Sequence, residues 1–417
     1  MRSNNKRLGD FIHQVNLRND DGSITDLRGL SLKKEFRKST SNIIGADMTK
    51  YKVMNKWQFS ANFMGLGVLV NKAAIVLKRD EIPNIVSSAY PVFEVKDKSK
   101  LNPEYLMMWF RRSEFDRYCV FKSDKGIRGG FDWNDLCDVE LPIPNIEKQK
   151  AIVKEYNVIV NRIQLSEQLN EKLEETAQAI YKYWFVDFEF PNEQGKPYKS
   201  NGGKMFSNAE LDKEIPDGWL AGCLDDLSIQ FSGFSFKGNQ YSFDNGISVV
   251  RGENVTEKKL RWDTHKKWDL ELNLRMKKCY LEASDIVIGM DGSKVGKNWS
   301  LISPFELPLL LAQRVTSVRA KNDYESFYLY LSMIVLNFEE YVSRVQTGTS
   351  IPHISGQQIK NFPLLQPKRL VLKSFSLIME KMFNKTYLNI ESSKKLLELK
   401  GLLLSRMTNI RFEKEMT

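Results

Sequence analysis

One stretch of this chain repeats another without a gap. Tyr105-Leu106 and Tyr328-Leu329 each open a Tyr-rich helical stretch and lie 223 residues apart. The same shift sets Phe115 on Phe338, Tyr118 on Tyr341, Leu136 on Ile359, Leu141 on Leu364, Pro144 on Pro367, Asn161 on Asn384 and Lys172-Leu173 on Lys395-Leu396. A register held over that distance marks one structural unit used twice. At 417 residues the chain exceeds one comfortable core, and two or three domains are expected. Leu8-Gly9-Asp10 resembles Leu224-Asp225-Asp226, each at the start of a half. Between these openings and the repeated helices the halves diverge. Two like frames thus carry unlike surfaces, and unlike surfaces imply different targets.

Each half runs from a strand-and-loop region into a long helix. Residues 150–186 contain no internal Pro or Gly, and Ile152, Tyr156, Ile159, Ile163, Leu173, Ala177, Ile180 and Trp184 follow a 4-3 spacing. Ser166 and Asn170 interrupt that stripe. In the second copy, residues 371–409, the spacing picks out Phe383, Ile390, Leu397 and Leu404, with Met382, Leu396, Leu403 and Met407 beside them. An apolar stripe over about 54 Å of helix asks for a helical partner. Antiparallel packing of the two helices on each other is the simplest solution. Pro144 and Pro367 mark extended segments leading into the helices. Residues 187–219, rich in Gly, Pro, Asn and charge, read as a linker into the second half. Strands are expected at 246–252, 284–290 and 314–320, and in the first half at 67–79 and 88–96.

The net charge of +10 and a pI near 9.1 favour an anionic partner. No run approaches the ~20 apolar residues of a membrane span. The opening MRSNNKRLGDF has no apolar run behind its basic residues and is unlike a secretory signal. Cys119, Cys137, Cys223 and Cys279 are too scattered for a disulfide framework or zinc site, which fits a reducing cytoplasm. His13, His265 and His353 show neither metal-ligand spacing nor a nucleophilic arrangement. The glycines of Phe63-Met64-Gly65-Leu66-Gly67 imitate a methyltransferase cofactor loop but lead straight into a strand-like run, as a hairpin bend would. Asp80-Glu81 and Asp225-Asp226 lack a third carboxylate at a spacing useful to a nuclease. Residues 289–298, GMDGSKVGKN, fail the phosphate-loop pattern at both ends: Asp291 stands at the first glycine position and Asn298 at the hydroxyl position. The chain reads as a binder.

Several fragments carry a family resemblance. They are LPIPNIEKQKAIVKEY (141–156), ETAQAIYKYWFVDFE (175–189), EIPDGW (214–219), GISVVRGENV (246–255), ASDIVIGMDGSKVGKNWSL (283–301) and QRVTSVRA (313–320). In that order, with the equal-length repeat, the chain resembles the DNA-specificity subunit of a type I restriction-modification enzyme over almost its whole length. The resemblance implies an α+β fold: two target recognition domains of mixed α/β character, separated by two long antiparallel helices in an internal pseudo-two-fold repeat. It divides the chain into a first recognition domain (1–144), a central long helix and spacer (145–188), a linker (189–214), a second recognition domain (215–367) and a C-terminal long helix (368–412). The second helix approach, residues 364–375, departs from the family by lacking the Glu-x-Gln seen as Glu147-Lys148-Gln149.

Two readers on a helical ruler would recognise two short, unlike half-sites across an unread gap. At about 3.4 Å per base pair, a separation of around 20–30 Å corresponds to about 6–8 base pairs. Specificity is expected from Arg, Lys, Asn and Gln at base edges, and affinity from phosphate contacts. The second-domain candidates are Arg251, Asn254, Lys258, Lys259, Arg261, Lys294, Lys297 and Arg314, with Gly292 and Gly296 letting the backbone approach. In the first domain they are Lys33, Lys34, Arg37, Lys38, Lys122, Lys125 and Arg128. The resemblance also implies two modification subunits that use S-adenosylmethionine to methylate adenine, and motor-nuclease restriction subunits that use ATP and Mg. This chain would carry no cofactor, metal or catalytic residue of its own. Tyr181, Tyr183 and Phe185 are candidate partner contacts, with Trp184 shared between that role and the helix stripe. The rival readings are a degenerate specificity-like scaffold or coiled-coil protein that reads no sequence, and a methyltransferase in its own right.

Overall fold

A computed structural model describes residues 5–39, 47–67, 69–123, 131–209, 211–348 and 350–407. It contains two compact units, Met1–Gln164 with Ser393–Thr417, and Leu165–Ser392. The boundaries fall inside both long helices, so each unit holds a part of each helix.

The first unit is built on a four-stranded antiparallel sheet in the order 12–15, 92–95, 58–62, 74–77. Helices Pro103–Phe110 and Ser113–Lys122 follow, then the short helix Trp133–Cys137. Asn102 starts the first of these, its side chain accepting from the amides of Glu104 and Tyr105, with Pro103 at the first helical position. Phe59, Phe93, Phe110 and Phe115 fill the core between sheet and helices. Leu404 and Met407, from the end of the second long helix, join this core beside Val153 and Tyr156.

The second unit repeats the plan. Its sheet runs 228–232, 315–320, 286–289, 299–301, again antiparallel throughout. Helices Ser326–Val335, Phe338–Val345 and Gly356–Lys360 occupy the places of the three in the first unit. The repetition reaches single contacts. The Tyr105 hydroxyl donates to the Pro142 carbonyl at 2.9 Å, and the Tyr328 hydroxyl to the Leu365 carbonyl at 2.7 Å. Asp132 and Asp135 form a capping box on one short helix, Ser355 and Gln358 on the other. Added to this shared frame, the second unit carries a three-stranded sheet, 267–268, 247–250 and 309–311, in which 247–250 and 309–311 run parallel.

The first long helix, Ile146–Tyr181, ends in a π-helical turn, Lys182–Val186, closed by the Asp187 amide on the Lys182 carbonyl at 2.9 Å. The wider turn brings both Trp184 and Phe185 into the core against Phe375 of the second long helix, Arg369–Arg406. Asn170, one of the two polar interruptions of the stripe, accepts from the Asn389 side chain at 2.8 Å. Trp184 meeting Phe375 while Asn170 meets Asn389 makes the pair antiparallel, as expected.

Three expectations need revision. Among the described residues of 67–79 only Ala74–Leu77 is a strand; Gly65 and Gly67 have positive φ and sit in the bend that precedes it, as a hairpin bend would. On the second long helix, Ile390 and Leu397 are 42% and 49% exposed, whereas Leu372, Phe375, Met379 and Tyr387 are buried. The strict seven-residue spacing therefore does not trace the buried face, which Leu404, one heptad beyond Leu397, rejoins in the first unit's core. The connecting segment 187–219 is folded as well as connecting. Phe190 stacks on Trp219, and the strands Met205–Asn208 and Lys213–Pro216 form a hairpin.

The missing Glu-x-Gln has a structural counterpart. Gln149 is fully buried; its amide donates to the carbonyls of Lys100 and Pro144 and accepts from the Asn102 amide. It ties the long helix to the loop before helix Pro103–Phe110. In the second half the same position is Leu372, equally buried in an apolar core. Packing there replaces a hydrogen-bonded tie.

Candidate nucleic-acid interface

Residues 289–298 join two strands of the second unit's sheet, Ile286–Gly289 and Trp299–Leu301. Asp285 anchors the incoming strand: it is 1% exposed and accepts two hydrogen bonds from Arg319, at 2.8 and 2.7 Å. Those bonds, and the charge behind them, hold the Arg319 guanidinium above its usual pKa. Gly296 has φ +86°, and a Cβ there would stand 3.0 Å from Val342, so glycine lets the loop lie on helix Phe338–Val345. Gly292 also has positive φ, and its amide donates to the Pro352 carbonyl at 3.0 Å. Pinned at both glycines, the loop presents Lys294 and Lys297 to one side.

A second turn faces the same space. The strands Val255–Thr256 and Lys259–Leu260 pair through a tight turn in which Lys258 has φ +58°. The Lys258 amide donates to the Trp299 carbonyl at 2.9 Å and stitches this turn to the sheet. Between turn and loop lies an open cleft of about 640 Å³ lined by Lys258, Lys259, Arg261, Lys294, Lys297 and Asn298, with Glu253 and Glu257 also on its wall. Five cations against two carboxylates make it a basic cleft, suited to anionic oxygens. Five of the eight second-domain candidates therefore converge, although the sequence separates them by up to 39 residues.

The cations are not equivalent. Lys297 lies 2.9 Å from Glu339, whose hydrogen bond and charge raise its pKa, and Lys258 is paired with Glu174 of the first long helix. Arg261 lies 3.3 Å from Asp263. Lys259 and Lys294 are exposed and have no carboxylate partner among the described residues. Outside the cleft wall, Arg251 is paired with Glu253 and lies over the Tyr241 ring at 5.7 Å. Arg314, 76% exposed in its side chain, lies 3.5 Å from Asp291, which is also bonded to His353.

Four candidates are corrected by burial. Asn254 is 1% exposed; it donates to the carbonyls of Arg261 and Thr264 and accepts from the Arg251 amide, so it shapes the turn and cannot reach a ligand. Lys34 is 5% exposed and lies 2.7 Å from Asp116, its ammonium also held by the Phe110 carbonyl. Burial pushes its pKa down, against the pull of Asp116. Tyr181 is 1% exposed and hydrogen-bonded to Ser332 at 2.8 Å, and Phe185 is 3% exposed. Both serve the helix junction, not a partner. Tyr183, by contrast, is 44% exposed. In the first unit Lys33, Arg37 and Lys38 are exposed around the Arg28–Leu30 and Phe36–Lys38 hairpin, and Lys122 is exposed at a helix end. Lys125 and Arg128 lie outside the described residues.

Glu174 and Glu339 were not among the expected site residues. The repeat held a signal for one of them: Glu339 stands at the position of Asp116 in the shared register, and both face a lysine. Among the described residues no group of three or more His, Cys, Asp or Glu is placed to hold a metal ion, and no helix is long and apolar enough to cross a membrane.

Comparison with known proteins agrees with this architecture. Residues 216–400 match the family described as Type I restriction modification DNA specificity domain. The MjaIX type I restriction enzyme specificity subunit of Methanocaldococcus jannaschii is 27% identical over 310 residues, covering 73% of this chain and 68% of its own length. The HindI specificity subunit of Haemophilus influenzae is 22% identical over 377 residues, covering 78% and 80%. The crystal structure of a type I restriction-modification system S subunit from M. genitalium shares the fold, with TM-score 0.58 at 13% identity over 97% of this chain and 95% of that one. With its doubled frame and this match across its second half, the chain is similar over most of its length to type I restriction-modification specificity subunits.

Proposed function

We propose that this chain reads a bipartite, asymmetric DNA target and directs adenine-methylating and restriction subunits to it. The two recognition domains, 1–144 and 215–367, would each contact one half-site. The long helices would fix the unread gap, with 189–214 as the connection. The observation that carries this reading is the basic cleft built on a frame that the other half shares without sharing its surface. Phosphates would meet Lys259, Lys294 and the paired lysines; base edges would be reached from Asn298 and Arg261. Arg251 and Arg314 stay candidates at its margin, and Lys33, Arg37, Lys38 and Lys122 are the first domain's counterparts.

Catalysis would lie in the partners, two modification subunits using S-adenosylmethionine and restriction subunits using ATP and Mg. Their docking face is assigned to the outer sides of the helices. In the second unit these expose Leu169, Tyr183, Leu377 and Leu388, each at least 41% accessible.

Binding-site selection with the chain coexpressed with its cognate modification subunit, in moderate salt, tests the reading. The expected result is a two-part sequence with a fixed gap, in which Lys294→Ala alters one part only. Enrichment of no sequence, with binding that fades evenly as salt rises, would leave a basic scaffold instead.

A further inference from the structure

The cleft's paired lysines take their carboxylates from elsewhere in the fold. Glu174 belongs to the first long helix and Glu339 to the first turn of helix Phe338–Val345, whereas Lys258 and Lys297 sit on the two turns that wall the cleft. Each pair is open to water: side-chain exposures are 38% and 41% for Lys258 and Glu174, and 50% and 51% for Lys297 and Glu339. An ion pair this exposed is held weakly, and a phosphate oxygen can compete for the ammonium on equal terms. The position matching Glu339 in the first half shows the opposite setting, since Asp116 and Lys34 are shut away from solvent. Glu257 provides an internal contrast: it lines the same cleft and makes no ion pair among the described residues.

We propose that Glu174 and Glu339 occupy phosphate positions of this cleft in the DNA-free protein, and that Lys258 and Lys297 exchange carboxylate for phosphate when duplex DNA enters. The inference rests on the DNA-binding reading above and adds a regulation to it. Two carboxylates of the scaffold lower the cleft's affinity for DNA, so that DNA is retained where further contacts add to the exchange. Lys259 and Lys294 need no exchange and make the first encounter.

The test uses the full chain with its cognate modification subunit and a labelled duplex of arbitrary sequence, read by fluorescence anisotropy at constant salt. Glu174→Gln and Glu339→Gln should each tighten binding by about two- to fivefold. Glu257→Gln, an equal change of charge beside the same cleft, should do less than either. In a Lys297→Ala background Glu339→Gln should gain nothing, because the exchange it relieves is gone. Glu339→Asp, which keeps the charge but withdraws it, should tighten binding in the same direction and serves if the glutamine variant does not fold. Without DNA, the Lys297 ammonium followed by NMR should titrate lower in Glu339→Gln than in the parent. Equal tightening by Glu257→Gln, or a gain that persists without Lys297, would reduce the effect to a general field and overturn the proposal. Parent protein that binds DNA while the glutamine variants bind no better would also overturn it, leaving the DNA reading intact. Folded protein that binds no duplex in any variant would remove both.

Discussion

Asp116 and Glu339 occupy one position in the shared frame, each in the first turn of the same helix of its half. A carboxylate is favourable there, beside the unpaired amides of a helix start. Each attracts a lysine, but from different loops: Lys34 from the turn before strand Phe36–Lys38, Lys297 from the loop before strand Trp299–Leu301. In the first half Asp116 also accepts from the Ala73 amide at 3.1 Å, and the pair lies over Phe115 with its ammonium 5.4 Å from the ring centroid. In the second half the pair stands in water at the edge of a cleft. The comparison teaches that the repeat conserves where a carboxylate is placed, while the loops decide whether it locks a turn or tunes a surface.

Cutting each pair gives the largest contrast. Lys34→Ala leaves a buried carboxylate without its counter-charge and should cost about 3–5 kcal/mol of the first unit's stability. Urea denaturation, followed by tryptophan fluorescence, should show a lowered midpoint for the transition of the first unit, which holds Trp57, Trp109 and Trp133. Replacing the pair together, Lys34→Met with Asp116→Leu, should restore much of the loss, since a packed apolar pair no longer needs compensation. Lys297→Ala should leave the unfolding midpoint where it was and weaken DNA binding. If the two single variants proved equally destabilising, the distinction between lock and tuner would collapse.

The helix tie offers a smaller contrast. Gln149→Leu writes the second half's residue into the first, and leaves the Lys100 and Pro144 carbonyls and the Asn102 amide without their shared partner. A cost of about 1–3 kcal/mol is expected. The reciprocal change, Leu372→Gln, buries an amide among apolar side chains and should cost a similar amount, about 1–3 kcal/mol. Thermal unfolding of both variants checks this. A neutral Gln149→Leu would mean that packing alone holds the helix in both halves.

The frame was legible because its signals are short-range and doubled. The 223-residue shift maps helix onto helix at 103–110 and 326–335, and places the short helices 133–137 and 356–360 in register. The strands at 247–250, 286–289 and 315–320 also lay inside the expected runs. Burial was harder to read. Lys34 sits in the run KKEFRK, where any of the four basic residues could be the one turned inward. Its selection depends on Asp116, which lies 82 residues away in sequence. Asn254 looked like a base-reading amide, yet its own turn consumes all its hydrogen-bonding groups. Phe185 suggested an exposed surface because no sequence period distinguishes a π-helical turn from a continuing helix, whereas Tyr181, four residues after Ala177 and three before Trp184, stood beside the apolar stripe in regular helix. The convergence of Lys258, Lys259 and Arg261 with Lys294 and Lys297 follows from sheet pairing and had no local signal.

The smallest contrast lies in a contact the two halves share. Tyr105→Phe and Tyr328→Phe each remove one buried hydrogen bond to a carbonyl, at Pro142 and Leu365, and should each cost about 1 kcal/mol. Burial raises the pKa of both tyrosines, and pushes that of Tyr181 up to about 12. The folded state therefore keeps these protons when the unfolded chain, near its ordinary value of about 10, gives them up. The stabilising contribution is complete below pH 10 and is lost as pH rises from there toward 12 and beyond. Both units should thus unfold on the alkaline side with tyrosinate absorbance appearing in step with the loss of helix. Removing a titrating group should make that limb shallower. Because Tyr328 packs against the buried Tyr181 whereas Tyr105 does not, Tyr328→Phe should change the limb more. Equal slopes would show that the alkaline response comes from the frame as a whole and not from the aromatic junction of the second half.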